Sequence, residues 1–288
     1  MLKQRVITAL VLLAVIALVV SASSPWPFLI FLAVGCGCAG WEWVRLTLPG
    51  AGTAAALTGI LLCAGALLQA WFWLGGVTAR APWQAPSSLL LMHAAVLCSV
   101  VVWLSGVAVA VARGRADASA RSLGWTVFAP VALYATWAAL AYLFMQRGAW
   151  FVLSLLMLIW VADIGAYFAG KAFGRHKLAP RISPGKTLEG AAAGVVGVVN
   201  WVLVSARWPD TFGQALVTRW SWLGAAGFAV ILAVISIMGD LFESLLKRRA
   251  GIKDSSGLLP GHGGVYDRID AVVAVVPLAF VLVDSASW

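Results

Sequence analysis

Residues 220–246 read WSWLGAAGFAVILAVISIMGDLFESLL. The first 20 of these, as far as Gly239, carry no charge. At about 1.5 Å per residue, a helix of that length crosses the roughly 30 Å hydrocarbon core of a bilayer. Asp240, Glu243, Ser244 and Lys247 then follow at i, i+3, i+4 and i+7, which places them on one helix face, while Leu241, Leu245 and Leu246 turn elsewhere. The unit is an apolar span that ends in a face of acid, hydroxyl and cation, and the rest of the chain is read outward from it.

The whole chain resembles this segment. Of its 288 residues 62% are hydrophobic and 11% charged, against about 45–50% and about 25% in a soluble domain. A water-soluble fold of this length cannot hide that much apolar surface, so lipid must solvate most of it. Apolar segments occur near 5–21, 26–44, 52–75, 87–112, 124–145, 149–172, 187–205, 220–246 and 269–285. No ten-residue alternating strands are present, which excludes a membrane barrel and leaves an all-α polytopic bundle of about nine transmembrane helices. The expected organisation is 1–145 as about five N-terminal helices and 146–288 as a C-terminal transmembrane region with cytoplasmic loops 173–187 and 247–268. The first segment, with Lys3 and Arg5 before it and Ser21 to Ser24 after it, reads as a retained helix rather than a cleaved secretory signal.

Charge sets the orientation. With a cytoplasmic N-terminus, all but four of the 20 Lys and Arg residues fall on the cytoplasmic side, the four being Arg80, Arg147, Arg207 and Arg219. The two loops therefore face the cytoplasm, and the expected location is a bacterial inner (plasma) membrane. The formal charge of +9 is spread in short clusters between apolar segments, which points to anionic headgroups and phosphate-bearing substrates and away from nucleic acid. Trp26, Trp41, Trp73, Trp83, Trp150 and Trp208 near segment ends read as headgroup anchors, and the four cysteines as small buried hydrophobes.

Seven of the 11 acids (Asp163, Glu189, Asp240, Glu243, Asp254, Asp267 and Asp270) lie in or beside the last four apolar segments. Ionisable groups near membrane depth are costly unless they face a partner or a wet cavity, so a shared site is expected. After the eighth segment comes RAGIKDSSGLLPGHGGVYDRID, residues 249–270. Its glycines 261, 263 and 264 let backbone N–H groups approach an anion, and His262 between them is placed to donate to a phosphate. SPGKT at 183–187 mimics the end of a phosphate-binding P-loop, but Pro180 stands where the earlier glycine belongs.

The 27 residues SLLKRRAGIKDSSGLLPGHGGVYDRID, Ser244 to Asp270, resemble the signature of the integral-membrane phosphatidate cytidylyltransferases (CDP-diacylglycerol synthases). A looser resemblance covers ADIGAYFAGKAFGRHK and SPGKTLEG between Ala162 and Gly190. The resemblance implies transfer of the cytidylyl group of CTP to phosphatidic acid within a lipid bilayer, with Mg²⁺ as cofactor and a homodimeric assembly. It implies Asp240 and Asp267 as metal ligands, with Lys247, Arg248, His262 and Arg268 in the catalytic set. Ser183, Lys186, Lys253, Gly263 and Gly264 are implied to bind substrate, with Asp163 a secondary metal candidate. Arg249 reads as a headgroup-facing charge, and Glu189 as an acid favoured by the N-terminal dipole of its helix. The alternatives are a CTP-dependent transferase acting on an isoprenoid or archaeol phosphate, and a transporter.

Overall fold

The structure is a computed structural model that describes residues 2–75 and 86–284. Arg80 and Trp83 lie outside the described residues. Each apolar segment falls, over its described residues and to within a residue or two at its ends, on helix. The helices are α1 (Leu2–Ser21), α2 (Trp26–Thr47), α3 (Gly52–Trp73), α4 (Pro86–Val102), α5 (Ala108–Arg113), α6 (Leu123–Phe173), α7 (Leu188–Ser205), α8 (Phe212–Arg249) and α9 (Tyr266–Val283). A π-helical turn, Trp103–Val107, joins α4 to α5. Among the described residues, six helical stretches are long and apolar enough to cross a membrane: α2, α3, Leu89–Arg113, α6, α7 and α8. Two of them are broken: α6 at Gly148, where φ is 82°, and α8 at Ser221, where φ is 61°. The break at Gly148 falls between the segments read as 124–145 and 149–172.

The loop 173–187 contains structure that the all-helical reading did not foresee. Strands β1 (Lys177–Ala179) and β2 (Ser183–Thr187) pair antiparallel, Lys177 opposite Thr187 and Ala179 opposite Ser183. Strand β1 precedes SPGKT, yet Gly185, Lys186 and Thr187 are themselves extended in β2 rather than wrapped as a phosphate loop. Thr187 ends β2 and caps α7, its hydroxyl accepting from Gly190 N–H at 3.2 Å.

The chain forms two compact units, each built from separated stretches. One comprises Met1–Ser99, Ala118–Tyr142 and Leu246–Ile269; the other comprises Val100–Asp117, Leu143–Leu245 and Asp270–Trp288. In the first, Gly37 of α2 and Gly59 of α3 lack side chains where the helices cross. A Cβ on Gly37 would sit 2.8 Å from the Gly59 carbonyl oxygen. The aromatic core of this unit stacks Trp43 on Tyr266 at 4.8 Å and Trp73 on Trp137 at 5.6 Å. Trp73, expected as a headgroup anchor, is therefore core, whereas Trp150 and Trp208 are exposed as anchors should be. Cys36 is buried as expected, but Cys98 is exposed on its helix.

In the second unit α7 lies close against α6, because a Cβ on Gly190 or Gly194 would meet the carbonyl oxygens of Ala166 and Ala162 at 2.7 and 2.9 Å. Small residues four apart let helix backbones approach in this way. The hairpin is seated by Ile182, which is buried with Leu241 and Leu245 of α8, while Leu178 and Ala179 pack alongside.

Candidate active site

Polar groups gather in both units. In the second, Gly239 makes room for the start of α9: a Cβ there would lie 2.8 Å from the Asp270 carbonyl oxygen and 2.9 Å from the Ala274 Cβ. That close crossing brings Asp240 and Glu243 of α8 to Asp270 of α9, with one carboxylate oxygen from each lying within 4.8 Å of the other two. Three like charges so close repel unless a cation or protons offset them. Lys186 of β2 supplies one positive charge, its Nζ lying 2.6 Å from Asp240 Oδ2. Ser244 donates to Asp240 Oδ1 at 3.4 Å, so these two members of the predicted helix face are in contact.

A cleft of about 400 Å³ opens beside this group, lined by Asp163, Tyr167, Lys171, Lys186, Thr187 and Asp240 among others. Lys186 and Asp163, both singled out in the sequence, thus face one cavity with Asp240. Ser183 begins β2 opposite Ala179 and does not line the cleft. Glu189 ties the preceding loop to α7 by accepting from the N–H groups of Arg175 and His176 at 3.1 and 3.2 Å, and the His176 Nδ1 lies 2.6 Å from its Oε1.

In the first unit the Gly-rich segment is folded around two carboxylates. Asp267 is only 3% exposed at its side chain and pairs with Lys247 Nζ at 2.9 Å. It also accepts from Ser255 N–H at 3.0 Å and Gly264 N–H at 2.8 Å. Three of the roughly four lone-pair sites of a carboxylate are thereby taken. Gly263, with φ of 83°, has no space for a side chain, since a Cβ would lie 2.5 Å from Asp267 Oδ2. The Gly264 N–H, expected to meet an anion, is thus spent within the protein.

The second carboxylate is Glu42 of α2, fully buried. It accepts from the hydroxyls of Ser255 and Ser256 at 3.2 and 2.5 Å and from the N–H groups of Val265 and Tyr266 at 3.0 and 2.6 Å. Between these anchors the chain turns tightly, with Leu259 N–H donating to Gly263 O at 2.9 Å and His262 N–H to Leu259 O at 2.8 Å. Arg268 Nε donates to His262 O at 3.1 Å. Beside the turn lies a cavity of about 560 Å³ lined by Lys253, Asp254, Ser256, Gly263, His262 and Arg268 among others. The His262 Nδ1 is buried and has no hydrogen-bond partner among the described residues. Arg248 is exposed and Arg249 partly so.

The sequence matches the Cytidylyltransferase family over residues 3–286. The chain belongs to this family. Two curated relatives are similar over nearly their whole length, both called phosphatidate cytidylyltransferase. The one from Pseudomonas aeruginosa is 37% identical, covering 100% of this chain and 99% of the relative. That from Haemophilus influenzae is 32% identical over 96% of each. A relative of the same name from Thermotoga maritima is 41% identical over 47% of this chain and 49% of its own length. Lys247 pairs with Asp267 in one unit, and Lys186 with Asp240 in the other. Sequence reading missed Glu42 altogether; it expected Asp240, Glu243 and Asp270 within one shared site but did not single the three out as a ligand set. For the trio a signal existed, because Gly239 precedes the acidic face and Asp270 closes the signature. For Glu42 the only signal is a carboxylate within an apolar segment.

Proposed function

We propose that this protein transfers the cytidylyl group of CTP to phosphatidate, giving CDP-diacylglycerol and pyrophosphate. The observation that carries the reading is the similarity to two proteins of that name over 100% and 96% of this chain. A phosphate oxygen of phosphatidate attacks the α-phosphorus of CTP, and the bond to the bridging oxygen breaks as pyrophosphate leaves. The nucleophile is already anionic near neutral pH, so the protein needs no strong general base; its task is to hold phosphates in line and offset their charge.

Asp240, Glu243 and Asp270 suit a hard divalent cation, since each offers a carboxylate oxygen within 4.8 Å of the others. We assign Mg²⁺ to these three. When bound there it would neutralise phosphate oxygens in the displacement. Asp240 keeps its expected role, whereas Asp267 is assigned to bracing the signature loop and holding Lys247. Lys186 and Lys171 serve phosphate as point charges in the cleft, and Lys253, His262 and Arg268 bind phosphate at the loop cavity, the arginine being able to bind two oxygens at once. The active site faces the cytoplasm, where CTP is made, and the N-terminus lies on the same side. A homodimer is proposed from the resemblance alone.

Detergent-purified protein supplied with CTP, Mg²⁺ and phosphatidate is expected to release pyrophosphate, and to release far less with an isoprenoid phosphate in its place. Release with the isoprenoid phosphate alone would keep the transfer chemistry and change the lipid. Silence with both would overturn the reading.

A further inference from the structure

Glu42 lies 213 residues before Ser255 and 224 before Tyr266, yet its carboxylate joins both ends of the signature loop. Oε1 accepts from Ser256 Oγ at 2.5 Å and from Val265 N–H at 3.0 Å. Oε2 accepts from Ser255 Oγ at 3.2 Å and from Tyr266 N–H at 2.6 Å. Each oxygen therefore takes one donor from the beginning of the loop and one from its end, filling the roughly four acceptor sites a carboxylate has. The next residue of α2, Trp43, stacks on Tyr266 at 4.8 Å. Gly264 leaves the carboxylate its space, since a Cβ there would be 2.5 Å from Glu42 Oε1.

What these contacts hold in place is the turn that carries His262, with Lys253 just before it and Arg268 just after it, all three lining its cavity. Glu42 is 0% exposed and does not line that cavity, so it cannot touch a substrate. We propose that Glu42 is a positioning residue for cytidylyl transfer: from α2 it clamps both ends of the Ser255–Tyr266 loop, so that Lys253, His262 and Arg268 are presented in a fixed arrangement to the triphosphate of CTP. The proposal rests on the function proposed above. A carboxylate is required because two of the four donors are backbone N–H groups, one on each oxygen. A glutamine, in either flip, sets its NH₂ against the Val265 or the Tyr266 N–H, and a backbone N–H, unlike a hydroxyl, cannot turn round to accept.

The test compares wild type, Glu42→Gln, Ser255→Ala and the double variant as full-length, detergent-purified proteins. It measures steady-state kinetics with CTP and phosphatidate, and thermal unfolding with and without CTP. Glu42→Gln is expected to lower kcat/KM for CTP about 10- to 100-fold and to lose the CTP-induced rise in melting temperature, alongside a lower ligand-free melting temperature from the unsatisfied buried donors. Ser255, 2% exposed, loses only its hydroxyl bond to Glu42 on substitution and is expected to cost about 3- to 10-fold. The double variant should be no worse than Glu42→Gln, because both changes act through one carboxylate. Kinetics of the folded protein within twofold of wild type would overturn the proposal, as would a loss seen only in the ligand-free melting temperature. If Glu42→Gln does not fold, Ser255→Ala decides on the same criteria. A wild type inactive on both lipids would instead overturn the functional reading and this proposal with it.

Discussion

Replacing Asp270 by asparagine removes one charge from three carboxylates whose oxygens lie within 4.8 Å of one another, while changing almost no volume. With the roles assigned above, Asp240→Asn and Asp270→Asn each lower kcat by about 100-fold or more and raise the Mg²⁺ concentration needed for half-maximal rate. Asp267→Asn also loses most of its activity, for another reason: asparagine offers one carbonyl oxygen where Lys247, Ser255 N–H and Gly264 N–H all require acceptors. Extra Mg²⁺ therefore does not help it, and metal titrations of the three variants separate the two roles. Arg249→Ala stays within about threefold of wild type, as a partly exposed charge read as facing headgroups contributes little. The acids of the C-terminal half stand out in the sequence because charge near membrane depth is costly and they cluster around one Gly-rich stretch. Glu42 was not, since its partners lie more than 200 residues away and no local spacing announces them.

At the scale of elements, the α6–α7 crossing depends on Gly190 and Gly194, whose missing side chains let α7 reach the carbonyls of Ala166 and Ala162. Gly194→Leu forces the helices apart, costing about 1–3 kcal/mol by overpacking, and is expected to lower the melting temperature. It should also reduce turnover, because α6 and α7 line the cleft that holds Asp163, Lys186 and Thr187. Thr187→Ala removes the α7 cap and costs about 1 kcal/mol, read as a smaller shift in the same melting experiment. The helices themselves were legible, since each apolar segment is long enough to need its backbone bonds satisfied internally. The hairpin at 177–187 was not, because strands of three and five residues have little stability alone. They exist here because Ile182, Leu178 and Ala179 pack on Leu241 and Leu245. Trp73 misled for a related reason: its place near a helix end predicts an anchor, and only the stack on Trp137 shows it to be core.

For the whole molecule, the bias of Lys and Arg toward one set of loops predicts that the signature loop and the 173–187 loop face the cytoplasm. In a cysteine-free background, Lys253→Cys should react with a membrane-impermeant maleimide only in inverted vesicles, and Arg219→Cys from outside intact cells. The reverse pattern would place the site where CTP is absent. The most direct measurement of the central claim supplies the purified protein with phosphatidate, Mg²⁺ and CTP labelled at either the α- or the γ-phosphorus, and follows the label into the organic-extractable lipid. The account predicts that the α-label enters lipid in step with pyrophosphate release while the γ-label stays in the aqueous phase. Label at neither position in the lipid, or γ-label appearing there, would contradict it.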